Sequence, residues 1–191
     1  MHYGPVPPRL SPEIYMREMV QAIELNKLET LLTNVERRAL TATSLEQKAR
    51  VYNLAGDLCF DALQPERALR YYQQAIDVHI SADQYEHATV ICKKLVALTP
   101  ETVNTRYTLA WLTAARGLLS EARQRIEEYV LAAERAGLAR LARRHLVSLA
   151  EITSAAEVLD AINDNLQRMG PDVTADWVTG QLDRMQGRLS A

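Results

Sequence analysis

Apolar positions along this chain recur at three- and four-residue intervals and nowhere sustain an alternation of period two, a pattern that predicts helices and no sheet. Ser11 and Pro12 supply an N-cap and a first-turn proline for an opening helix with Ile14, Met19 and Ile23 on its apolar side. A break is expected near Asn26, followed by a second helix to about Leu40 carrying Leu28, Leu31, Leu32 and Val35. Ser44 and Gln47 form a capping box for a helix reaching about Ala62, and Pro65-Glu66 starts the next, to about Ile80. Asp83 is expected to cap a helix ending near Leu98, and Thr99-Pro100 to open one that Gly117 terminates. Further helices are expected over about 119–136, 138–152 and 154–169, with Gly137 and Gly170 closing two of them. A last helix within 172–189 places Val178, Leu182, Met185 and Leu189 on one stripe, as a capping helix would. Residues 1–11 are proline-rich and are expected to form an extended arm ahead of one helical domain over 12–191.

These helices are joined by short loops, so neighbours are expected to pack antiparallel. Three of them share an internal spacing. Ala68, Ala88 and Ala122 each stand four residues before a larger residue (Tyr72, Cys92, Ile126) and seven before another apolar one (Ala75, Leu95, Tyr129). A small residue at such a place lets two helices approach closely where they cross. The spacing resembles the second helix of a tetratricopeptide repeat, a helix-turn-helix unit of about 34 residues. Leu109, Ala110, Gly117, Leu119 and Ala122 fit the family's pattern over 103–136, and Gly56 and Ala68 fit it over 49–82, where Leu63 and Ile80 replace the usual Gly and Pro. The stretch 83–100 adds Tyr85, Ala88, Cys92 and Pro100. Ala68 and Ala88 stand only 20 positions apart, a departure from the family's period.

The resemblance covers about residues 45–170. It implies an all-α fold, an α-α superhelix or solenoid of helical hairpins, with helices over 12–40 and 172–189 capping both ends. It also implies a concave groove lined by first helices, here Asn53, Asp57 and Phe60 on one and Asn104, Tyr107 and Trp111 on another. Trp111 is then either a groove wall or, one residue out of frame, part of the core. Family members that grip peptide C-termini through a Lys and Asn clamp have no counterpart here, since no comparable lysine pair stands at these positions.

Composition narrows the function. Ala, Leu, Glu, Gln and Arg dominate, the residues that lose least on entering a helix. A formal charge of −2 gives no overall bias toward nucleic acid or an anionic membrane, and no apolar run is long enough to span a bilayer. The prolines near the N-terminus stand where a signal peptide has its apolar core, so a cytoplasmic location is expected. Cys59 and Cys92 sit among apolar neighbours and are expected to be buried free thiols. No glycine-rich phosphate loop, nucleophile elbow or HExxH spacing is present; His79 and His87 can meet around a turn but form no metal-ligand motif.

Arg140, Arg143 and Arg144 share a helix face beside His145, which reads either as an anion-binding patch or as a solvated face paired to neighbouring carboxylates. The expected function is non-catalytic, with no cofactor and no metal: an adaptor or assembly factor that binds a protein or peptide partner in the groove. Nucleic acid and membrane insertion are not expected, and homo-oligomerisation is compatible with the reading. Alternatives are a structural subunit of a larger complex, making contacts through the arm and terminal helices, a small secretion-type chaperone, or a regulatory nucleic-acid binder using the three arginines.

Overall fold

The computed structural model describes residues 12–170 together with Val178, Gly180 and Asp183, with side chains from Glu24 onward. The expected arm over 1–11 and most of the expected helix over 172–189 lie outside the described residues. Among the described residues the chain is all-helical, without strands: α1 (Pro12–Leu40), α2 (Leu45–Asp61), α3 (Pro65–Ser81), α4 (Tyr85–Leu98), α5 (Val103–Ala115), α6 (Leu119–Arg135), α7 (Ala139–Ile152) and α8 (Ala156–Arg168). No described helix is long and apolar enough to cross a membrane.

The expected break at Asn26 is absent, and α1 runs unbroken. Between Glu13 and Leu40 there is neither Pro nor Gly, so every residue keeps its N–H and its helical bias. The Asn26 carbonyl also accepts the Thr30 hydroxyl within the helix. At α2 the capping box forms in modified form. Ser44 Oγ accepts the Gln47 N–H at 3.1 Å, while Gln47 Oε1 accepts the Thr43 N–H rather than that of Ser44.

Four turns share one construction. Leu63, Asp83, Gly117 and Gly137 take φ of 57°, 55°, 69° and 71°. The residue after each donates its N–H back across the turn: Gln64 to Cys59, Gln84 to His79, Leu118 to Thr113 and Leu138 to Ala133. This is the glycine-type helix ending, in which a left-handed residue closes one helix and aims the chain into the next. Asp83 is therefore not the N-cap of α4; it occupies the left-handed position, which Asp tolerates better than most residues, and Gln84 precedes the helix. Thr99-Pro100 likewise does not open α5. The Thr99 N–H and hydroxyl both bond the Leu95 carbonyl, holding Thr99 at the end of α4, and α5 starts at Val103.

A longer repeat relates these pieces. Helices α3 and α6 are both 17 residues long and α4 and α7 both 14. Their starts, Pro65 and Leu119 or Tyr85 and Ala139, are displaced by 54 positions, as are Leu63 and Gly117, Asp83 and Gly137, and Thr99 and Thr153. Ala68 and Ala88 thereby correspond to Ala122 and Ala142, and all four are buried. The 20-residue interval between Ala68 and Ala88 thus lies inside a displacement of 54 positions that takes in three helices, α3, α4 and α5.

The chain divides into two compact units, one ending at Ala75 and the other beginning at Ile76, within α3. In the first unit α1 packs on α2 through a stripe of Leu28, Leu32, Val35 and Ala39, whereas Leu31 is 48% exposed instead of joining the apolar side. Tyr72 is wholly buried, its ring against Gly56 and its hydroxyl donating to Asp57 at 2.6 Å. Arg67 on α3 pairs with Glu29 on α1, which holds the Glu29 carboxyl below its usual range. Tyr71 donates to Glu36 at 2.6 Å, and burial with that bond pushes its phenol up to about 12.

The second unit has a continuous core in which Ala110, Ala122, Ile126, Tyr129, Leu146, Leu149 and Ile162 are fully buried; each large apolar side chain so placed contributes about 1.5–3 kcal/mol. Helix α5 packs on α4 and α6, and α6 also meets α7 and α8. Buried polar side chains close on their own helices: Thr113 on the Leu109 and Ala110 carbonyls, Asn165 on that of Ala161. Cys59 and Cys92 are free and buried. Burial pushes both thiols up, Cys92 to about 12.

Candidate functional site

The six residues expected to line a groove divide between the units, three on α2 and three on α5. On α2, Asn53 is half-buried and Phe60 is 41% exposed at the helix end. Asp57 is committed to the Tyr72 hydroxyl, so it supports the crossing of α2 and α3 instead of facing a ligand freely.

On α5, Asn104, Tyr107 and Trp111 follow the i, i+3, i+7 rule along one side. Asn104 is exposed, whereas Tyr107 and Trp111 are half-buried and lean against the core. Trp111 meets the Tyr85 ring edge-on, with centroids 5.5 Å apart and planes at 81°. Tyr107 stacks on His145 of α7 at 4.0 Å and lies 5.4 Å from Tyr129. The buried Tyr129 hydroxyl is 2.7 Å from His145 Nδ1. Burial first, then the charge of Arg144, holds the His145 pKa below its ordinary value, which favours the neutral ring beside that hydroxyl. The result is a braced face: half-exposed rings whose buried edges cannot rotate away.

The three arginines are placed differently. Arg140 and Arg144 are exposed, but Arg143 turns inward and donates through Nη2 to the Met169 carbonyl at 2.5 Å and the Gly170 carbonyl at 2.8 Å. The last carbonyls of α8 lack helical partners, and a guanidinium satisfies them more strongly than water does. The His79 and His87 rings do meet, stacked nearly parallel with centroids 5.2 Å apart, and His79 Nδ1 lies 2.8 Å from Gln84 Oε1. Among the described residues no group of three or more His, Cys, Asp or Glu is placed to hold a metal ion.

Tyr85 and Tyr129 enter the sequence reading only as repeat-packing positions and His145 only as a neighbour of the arginines, so their part in the braced face is what the structure adds. Tyr85 follows a left-handed Asp that hides the turn, and the Tyr129–His145 bond joins two helices that no local spacing connects. No protein-family model matches the chain, and no curated protein matches it.

Proposed function

We propose that the chain is a non-catalytic interaction module, similar in its helical hairpins to tetratricopeptide repeats, that holds a peptide or helix of another protein as an adaptor or assembly factor. The observation that carries this reading is Trp111, partly buried with its ring held edge-on by Tyr85, with Tyr107 stacked on His145 on the same side of α5. An aromatic ring already immobilised in the free protein loses little freedom on binding, which is what makes Trp and Tyr effective anchors at interfaces. Asn104, exposed three residues before Tyr107, supplies amide donors and acceptors that suit a peptide backbone. Two buried free thiols suit a reducing compartment, and the proposal places the protein in the cytoplasm.

The test is capture of partners by the tagged chain from its own cells, with Trp111→Ala and Asn104→Ala baits beside the wild type. Loss of one and the same partner from both variants, with their helical content intact, is the expected result. An interaction set that neither substitution changes contradicts the reading.

A further inference from the structure

In the second unit a cleft of about 570 Å³ lies between the start of α5 and the end of α6, walled by Pro100, Leu131 and Ala132 and edged by Arg106 and Arg135. Its volume lies within the range of true ligand sites and suits one or two side chains.

The arginine at its edge is poorly satisfied. Arg106 is only 19% exposed, and its Nε donates to the Pro100 carbonyl at 3.1 Å. Its Nη1 faces Glu128 at 3.9 Å, beyond hydrogen-bond reach. Gln124 holds one oxygen of Glu128 and Arg125 the other, each at 2.8 Å, which anchors that carboxylate on α6 at its present distance from Arg106. Among the described residues the Nη atoms of Arg106 thus have no acceptor at hydrogen-bond distance, in a guanidinium that water still reaches and whose planar fork suits a carboxylate. Arg135, exposed in the last turn of α6, brings a second positive charge to the same cleft. Glu101, exposed at the rim, and Glu128, which also lines the cleft, oppose an incoming anion, so the two arginines must outweigh them at the point of contact.

We infer that this cleft takes an acidic segment of a partner protein, an Asp or Glu carboxylate meeting Arg106 and Arg135 while an adjoining apolar side chain rests on Leu131 and Ala132. The inference rests on the reading that the chain holds a peptide, and it adds the chemistry of that peptide. Charge complementarity selects the occupant: an apolar peptide leaves the Arg106 Nη atoms with only the distant Glu128 carboxylate, and a basic one places like charges together.

The experiment is selection of a displayed library of random dodecapeptides on the full chain, followed by binding of the enriched peptides to variants. Enrichment of Asp or Glu next to Leu, Ile, Val or Phe is expected. So are about tenfold weaker binding to Arg106→Ala, a smaller loss for Arg135→Ala, tighter binding to Glu101→Gln, and weakening with salt. Arg135 is exposed, so its variant carries the test should the Arg106 variant be destabilised. Enriched peptides that are neutral or basic, or acidic ones indifferent to both arginines, overturn the inference. If those peptides still depend on Trp111, the peptide-binding reading survives without the cleft. If no peptide is enriched at all, both fall.

Discussion

Gly56 of α2 lies face to face with Tyr72 of α3: a Cβ added at Gly56 would stand 2.6 Å from Cδ1 of the ring and 2.6 Å from Cε1. The ring is wholly buried and tied to Asp57, so it cannot swing aside. Gly56→Ala is therefore expected to destabilise, because overpacking at about 1–3 kcal/mol exceeds the gain of about 1 kcal/mol from replacing a mid-helix glycine. Urea unfolding measures the difference, and a variant as stable as the wild type contradicts this close approach.

The shared turn gives a pair of opposite outcomes. Leu63 holds a left-handed conformation with its side chain 88% exposed, and Gly117 holds the same conformation with open space around it. Leu63→Gly is expected to raise the melting temperature by relieving about 1 kcal/mol of backbone strain, and Gly117→Ala to lower it by a similar amount. Thermal melts of the two variants, followed by circular dichroism, check the signs.

Arg143 is the structural member of the arginine run. Arg143→Ala removes two charge-assisted bonds from the end of α8 and is expected to cost about 1.5–3 kcal/mol, whereas the exposed Arg140→Ala stays within about 0.5 kcal/mol. Equal effects of the two, by chemical denaturation, contradict the assignment.

His145 sets a pH dependence. Its folded pKa lies below the ordinary 6.5, so the unfolded chain binds the proton more readily than the folded one. Its contribution is complete above 6.5 and is lost as the pH falls from there through the lower folded value. The unfolding midpoint is expected to fall between about pH 7.5 and 5.5. His145→Phe, which keeps a ring against Tyr107, is expected to flatten that slope. The lowered carboxyls of Glu29 and Glu121 act in the same direction only at lower pH, below their ordinary 4.5.

Much of the helix order was legible because the signals were local. Ser44 with Gln47, Gly117 and Gly137 act within a few residues of themselves, and the Ala68, Ala88 and Ala122 spacing picks out buried positions directly. The turns at Leu63 and Asp83 were harder to read, because geometry imposed by the backbone bonds around them overrides the preference of the residues that occupy them. Asn26 suggested an end to α1 on propensity, but packing of Leu28, Leu32, Val35 and Ala39 continues past it. The site was least legible. Whether an arginine faces solvent, caps a helix as Arg143 does, or is left short of an acceptor as Arg106 is depends on carbonyls and carboxylates far away in sequence or already engaged elsewhere.

The central claim is that small residues at helix crossings hold the hairpins in the arrangement that fixes the aromatic face. Urea unfolding of Ala122→Leu, with the exposed Glu127→Gln as control, tests it most directly. Ala122 is fully buried in the second unit's core. A loss of about 1–3 kcal/mol is expected for the leucine variant and a change within about 0.5 kcal/mol for the control. A leucine variant that unfolds at the wild-type midpoint contradicts it.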